Sequence, residues 1–194
     1  DGSTDGTAEV LRELGEKHER LRTLRHGVNR GMGAAVKTGY GAARLGHVTF
    51  IPADGQVPLV EILKMAPAAR DGADMVLGNY TQRQQVDGGG RMILSRGLRL
   101  LMAAMLGTRR EMSGVVLFRR ELLDRLPIKS ESFFANLEFP VRAIRAGLDV
   151  RDVAIEVHAR RSGQSKVANL SRIRRVAGEL VKFRINLVRE AFER

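Results

Sequence analysis

Four short runs rich in β-branched residues, HVTFIP (47–52), ADMVLGNY (73–80), GVVLFRR (114–120) and DVAIEVH (152–158), recur along this 194-residue chain. The segments between them carry helical spacing of their apolar residues. A further short run, LRTLRH (21–26), reads as a strand between the helix-like AEVLRELGEKH (8–18) and the glycine-opened NRGMGAAVKTGYGAARLG (29–46). Alternation of this kind predicts an α/β layer fold with a mostly parallel sheet flanked by helices, because parallel neighbours need a crossover and a helix is the usual one. Further helices are expected over PLVEILKMAPAARDG (58–72), with Pro at its start, RMILSRGLRLLMAAMLG (91–107), RELLDRLP (120–127) and ANLEFPVRAIRAG (135–147), the last interrupted at Pro140. From Leu170 to the end the pattern is one long amphipathic helix.

In open α/β sheets, ligands sit beyond the carboxyl ends of the strands. The turn PADGQ (52–56) lies at such an end, which marks Asp54 as a candidate oxygen ligand for a divalent metal, with an Asx-turn as the structural alternative. DGSTDGT (1–7) reads as a turn with Ser3 and Thr4 as helix-cap candidates. In NRGMGAA (29–35), Gly31 and Gly33 before a helix suit close approach of backbone to a phosphate or sugar. Arg91 and Ser95 are four apart on one expected helix and share a face. RRSGQSK (160–166) places three cations around a Gly and two Ser, the makings of a phosphate cradle or of a solvated basic loop. Glu138, among apolar neighbours on a helix, is a candidate base or acid, or a surface residue. The four histidines show no metal spacing.

Charge narrows the partners. The net charge is +11, and the basic excess is concentrated after residue 158, which suits an anionic partner such as a membrane surface or a phosphorylated substrate. With nine aromatics and no Trp, base-stacking platforms are scarce, so nucleic acid is not expected. The absence of Cys excludes disulfides, thiolate zinc sites and a cysteine nucleophile. No apolar run approaches the ~20 residues of a membrane-spanning helix, and no leader pattern is visible. The chain opens on Asp1 inside a turn, so its natural beginning is expected upstream.

Taken in order, DGSTDGT, NRGMGAAVKTG, ADGQVP, ADMVLGNY, a glycine-rich loop before RMILS, SGVVLFRRELL, NLEFPVRAIRAG and RRSGQSK resemble a family-2 glycosyltransferase of GT-A fold, of the dolichol-phosphate (polyprenyl-phosphate) mannosyltransferase type. The resemblance covers residues 1 to about 166, which suggests a partial glycosyltransferase domain over 1–166 and a basic amphipathic helix over 167–194. It implies an inverting hexosyltransferase that moves a sugar from a nucleotide diphosphate sugar to a lipid phosphate. Such an enzyme would be cytoplasmic and peripheral on the cytoplasmic face of a membrane, with a membrane-protein partner a further expectation.

The resemblance also assigns residues. Asp1, Asp5, Asn29, Gly31 and Gly33 would lie on the donor side. Asp54 and Gln56 would hold Mg or Mn, and Asp54 and Glu138 would stand at the active centre. Arg91 and Ser95, helped by Arg160 and Lys166, would hold the acceptor phosphate. Two departures follow. The family's opening strand–helix–strand is absent from the chain. The leading acid of the metal motif is Pro52, which weakens any metal site, and GNY (78–80) replaces a Gly-Ser-Arg whose arginine Arg83 would supply. Transfer to a hydroxyl acceptor in cell-envelope polysaccharide synthesis, and a non-catalytic basic module, are the alternatives.

The tail makes its own demand. With Ile173 as reference, Val176, Ala177, Leu180, Leu187, Val188 and Ala191 share a face that also carries Arg184. An unpaired buried arginine is costly, so this face is expected to meet a membrane or partner helix rather than the domain core; packing on the core with Arg184 paired to an acid is the alternative.

Overall fold

The computed structural model describes residues 1–81, 103, 107, 110, 112, 114–132, 134–158 and 170–192, with the side chains of 170–176 and 191 excepted. In chain order the elements are α1 (Thr7–Lys17), α2 (Met32–Ala42), β1 (His47–Thr49), α3 (Leu59–Leu63), α4 (Ala66–Arg70), β2 (Met75–Tyr80), β3 (Val115–Arg119), α5 (Leu122–Arg125), α6 (Ala135–Arg145), β4 (Val150–Ile155) and α7 (Leu170–Phe192). The sheet runs β1-β3-β2-β4 with helices against it, the expected α/β architecture.

Strand direction differs from the expectation. β2 and β4 are parallel, but β3 is antiparallel to both β1 and β2. Gly78 pairs with Val115, so the chain leaves the sheet after β2 and re-enters for β3 at the same end. A connection that returns to the end it left produces an antiparallel neighbour. β2 is the central strand by burial: Met75, Val76 and Leu77 are closed to solvent, as expected of a strand covered on both faces. One core joins α2, α5 and α6 over the sheet through Tyr40, Phe118 and Phe139, whose rings meet edge to face at 4.9 and 4.7 Å. A second lies on the other face, where Ile62, Met65 and Ala69 pack on Val76, Val115 and Ile155.

Several local expectations are corrected. The segment 21–26 pairs with no strand among the described residues and remains without regular structure. The single helix expected over 58–72 is two, α3 and α4, parted at Lys64–Met65. Pro67 has no N–H to offer Leu63, four residues back, and its ring crowds that carbonyl. Pro140, by contrast, sits inside an unbroken α6. Its φ suits a helix and only one hydrogen bond is forfeited, while its neighbours Phe139 and Val141 are buried. Ser3 and Thr4 do not cap α1. Asp5 does the equivalent work, its Oδ1 accepting from the Thr7 N–H at 3.1 Å and from the Thr7 hydroxyl.

The long helix α7 is present, but its apolar face is turned inward. Leu180, Phe183 and Leu187 are buried against Phe134, Leu137 and Val141, which corrects the expectation that Leu180 and Leu187 avoid the core. Arg184 is exposed. The true contact stripe is centred on Phe183 and Leu187, rotated away from Arg184, so Arg184 is not buried in it. Arg142 of α6 covers the Phe183 ring, its guanidinium carbon 5.0 Å from the centroid.

Candidate functional site

Two glycine-containing turns meet at the start of the chain. The Asp1 carboxylate accepts the backbone N–H of Arg30 at 2.9 Å through Oδ1 and that of Gly31 at 2.8 Å through Oδ2. His26 Nδ1 lies 2.7 Å from the same Oδ1, and its Nε2 lies 2.9 Å from the Thr38 hydroxyl of α2. An ionised carboxylate only accepts, so Nδ1 donates and, in a neutral ring, Nε2 receives the Thr38 O–H. Gly2, at φ 65°, packs so tightly that a Cβ there would stand 2.3 Å from the Asn29 nitrogen. Gly31, at φ 91°, turns the chain into α2. The sequence-predicted donor residues Asp1, Asn29 and Gly31 are therefore brought together. Asp5 stands aside, bound to Thr7 at the start of α1. Gly33 is consumed by packing: a Cβ would lie 2.4 Å from the Glu131 carbonyl, so its lack of side chain lets α2 rest on the 131–132 backbone.

Asp54 lies beyond β1 in a turn whose Gly55 has φ 71°. Its Oδ1 accepts the Gln56 N–H at 3.2 Å, an Asx-turn contact, and the side chain is half-buried. The Gln56 carbonyl accepts the His158 N–H at 2.8 Å, and its side-chain amide reaches back to the His158 carbonyl at 3.4 Å. This pairing anchors His158 beside the acidic turn, a contact that sequence spacing does not reveal. Glu61 of α3 secures the same corner, accepting the Glu156 N–H at 2.7 Å and pairing with Lys64. The Lys64 ammonium and the Glu156 N–H hold its carboxyl below the ordinary glutamate value, against a smaller upward push from burial.

Between α2 and β1 runs an open groove of about 720 Å³, in the size range of ligand pockets. Met32, Val36 and Tyr40 form one wall, Val48 and Phe50 the other, and among the described residues Asp54 is the one charged residue on it. The groove follows the outer edge of β1, which has no ladder partner among the described residues. Its walls suit apolar protein better than a nucleotide. A smaller cavity of about 240 Å³ holds Asp1, Arg22, His26 and Thr38, and shares Ala35 and Gly39 of α2 with the groove. The Asp1 cluster and Asp54 thus lie along one side of the same helix.

Glu138 is not placed as an acid or base. It is closed to solvent and accepts the N–H of Lys129 at 3.2 Å, that of Ser130 at 2.8 Å and Arg142 Nε at 2.8 Å. Burial raises its pKa, but hydrogen bonds from Ser130, Arg142 and Lys129 outweigh it and hold the carboxyl below its ordinary value. It is an anionic anchor between α6 and the 129–130 backbone. Arg142 passes the connection on to Glu190 of α7 at 3.3 Å. Arg83, Arg91, Ser95, Arg160 and Lys166 lie outside the described residues.

Among the described residues no three carboxylates or histidines are grouped as a metal cage. Asp54 is one carboxylate at a strand end. That fits an ion of the Mg or Mn type only in the mode where substrate phosphates and water supply most of the shell.

Solved structures share this fold. Glucosyl-3-phosphoglycerate synthase from Mycobacterium tuberculosis, in complex with Mn2+, UDP-glucose and phosphoglyceric acid, superposes with TM-score 0.66 at 25% identity over 94% of this chain and 66% of that one. The same enzyme with Mn2+, UDP and glucosyl-3-phosphoglycerate gives 0.63 at 24% identity, and here the chain spans 64% of the neighbour's length, 94% of its own being covered. The form with Mg2+ and UDP gives 0.62 at 22%, covering 94% and 65%. The fold is that of the GT-A glycosyltransferases. A search of curated proteins finds no significant match. Residues 1–134, which contain both glycine turns, the Asp54 turn, β2 and β3, match the profile of glycosyl transferase family 2, and the chain belongs to that family.

Proposed function

We propose that this chain carries the catalytic region of a glycosyltransferase that moves a sugar from a nucleotide diphosphate sugar to a phosphate-bearing acceptor. The observation that carries the reading is the Asp1 carboxylate, which ties the DGSTDGT turn to the backbone of the NRGMG loop at the start of α2. With the Arg30 and Gly31 N–H groups taken by Asp1, the first N–H groups of α2 itself are the ones suited to an anion, and the hydrogen bonds hold the loop in place for it. Family membership and the UDP-containing neighbours support the same donor class.

In the transfer, the bond between the anomeric carbon and the diphosphate oxygen breaks, and a bond to the acceptor oxygen forms from the opposite face, inverting the centre. The departing diphosphate takes the electron pair. Asp54 and Gln56 would hold a Mg or Mn ion bound with the diphosphate, and such an ion would supply charge neutralisation for the leaving group. The Gln56–His158 pairing fixes the chain two residues before Arg160, and we assign Arg160 and Lys166 the task of neutralising the phosphates. Positive charge held beside the departing diphosphate would favour the transition state over the ground state.

For the acceptor, we favour a polyprenyl phosphate, bound by Arg91 and Ser95 and met by an enzyme peripheral on the cytoplasmic membrane face. The occupied state of Glu138 supports this: a hydroxyl acceptor needs a base, whereas a phosphate oxygen is already anionic. The second reading is a small phosphorylated hydroxy acid, favoured by the phosphoglyceric acid in the neighbour. Transfer assays of the full-length protein with UDP- or GDP-sugars, offered polyprenyl phosphate or phosphoglycerate with and without Mn, separate the two. Absence of hydrolysis and transfer with every donor would leave a non-catalytic basic module. Arg91→Ala should raise the KM for the lipid phosphate roughly ten- to hundredfold, the value of one charge-assisted phosphate contact, and leave the donor KM near its original value. Equal effects on both substrates would give Arg91 a structural role.

A further inference from the structure

Helix α7 has two apolar faces, and the described residues cover only one. Leu180, Phe183 and Leu187 face the core. A separate stripe, Val181, Ile185, Val188 and Phe192, is exposed by 48, 47, 39 and 88%. With Val181 at 0° and 100° per residue, Ile185, Val188 and Phe192 fall at about 40°, −20° and 20°. Nothing among the described residues covers this stripe.

The charges on the helix are sorted to match. Both described acids are drawn toward the body: Glu179 accepts the Ser132 hydroxyl, and Glu190 pairs with Lys129 at 3.2 Å and Arg142 at 3.3 Å. The described cations, Lys182, Arg184 and Arg189, are all exposed. Arg184 falls at about −60° on one flank of the stripe, and Arg189 and Lys182 at about 80° and 100° on the other. An apolar stripe between two rows of cations fits the boundary between lipid headgroups and acyl chains, where arginine and lysine stems lie along apolar surface and their charges reach phosphates. A second copy of the helix would set these cations against each other. No helix among the described residues is long and apolar enough to cross a membrane.

We infer that the Val181–Ile185–Val188–Phe192 stripe of α7 docks the protein on an anionic lipid surface, with the helix in the plane of the interface. This inference rests on the surface of α7 and not on the sugar-transfer reading. It replaces the face expected from sequence with one turned away from the core.

Flotation of the whole protein with vesicles of phosphatidylglycerol and phosphatidylcholine, against phosphatidylcholine alone, tests it, with sedimentation equilibrium in the absence of lipid beside it. Binding is expected only to the anionic vesicles. The double variant Ile185→Asn/Phe192→Ser should lose at least tenfold in affinity with its Tm unchanged, since both side chains are exposed. Lys182→Gln, Arg184→Gln and Arg189→Gln should each weaken binding about fivefold, the worth of one cation near an anionic surface. The variant Leu63→Ser, at an exposed apolar position on α3, should bind as the parent does. Flotation that is indifferent to the stripe substitutions would overturn the inference. So would self-association without lipid that the same double variant abolishes, which would make the stripe a homodimer contact.

Discussion

The guanidinium of Arg142 touches carboxylates on two helices at once: Nε lies 2.8 Å from Glu138 of its own helix α6, and Nη1 lies 3.3 Å from Glu190 of α7. Both Glu138 and Arg142 are buried, so the pair is held in a low-dielectric setting where losing one partner strands the other. Glu138→Ala is expected to cost about 3–5 kcal/mol, read as a lower midpoint in urea unfolding. A catalytic glutamate would instead lose turnover at unchanged stability, and that outcome would return Glu138 to the active centre.

The same contact gives stability a pH dependence. The folded-state pKa of Glu138 lies below its unfolded value, so the unfolded chain takes up this proton first. The contribution is complete above the unfolded glutamate pKa of about 4.3 and fades as pH falls through the lower folded value. Unfolding midpoints between pH 6 and pH 2 should decline at the acid end, and Glu138→Gln should flatten that decline.

His26 acts at one remove from ligand. It binds the same Asp1 oxygen that accepts the Arg30 N–H and is itself held by Thr38. His26→Ala should raise the donor KM about five- to tenfold with a small change in kcat, because one or so kcal/mol of loop preorganisation is lost. His26→Gln, which keeps a donor, should recover part of it. A fall in kcat alone would show that the Asp1 cluster does not shape donor binding.

Asp54→Asn should abolish transfer in the full-length protein while leaving the fold intact. Activity retained at saturating substrate removes Asp54 from the mechanism. Pro52→Asp should tighten Mn binding in a calorimetric titration, since it restores a second carboxylate two residues from the first. No gain would mean that position 52 faces away from the ion.

The expected layer order was readable because long periodic segments and β-branched runs report burial directly. Strand direction was not, since β3 reads the same in either sense and only its pairing of Val115 with Gly78 decides. The segment 21–26 has the composition of a strand but no neighbour to pair with among the described residues, and composition does not report partners. On α7, a helical wheel gave the amphipathic character correctly but centred the buried face some tens of degrees away from Phe183. Two apolar stripes merge in a wheel, and only packing distinguishes them. At the site, Asp1 and Asp54 stood out as acids in turns. The roles of His26 and of the Gln56–His158 pairing depend on contacts between residues 25 and 102 positions apart and had no local signal.

Gly33→Ala should be poorly tolerated, because the new methyl would stand 2.4 Å from the Glu131 carbonyl, and backbone yields less readily than a side-chain tip. A loss of about 1–3 kcal/mol is expected from overpacking alone. Wild-type stability would mean that α2 and the 131–132 segment separate freely.

The contact at Gly33 joins main chain to main chain, and this sets what variation can do there. At Glu131 and Ser132 the groups facing α2 are backbone carbonyls, which every residue possesses. Exchanges at 131 that keep the local path of the chain should therefore be silent with respect to the seat of α2, while the single position opposite admits no side chain. In a library of variants, tolerance should be sharply one-sided across this contact: broad at 131, closed at 33.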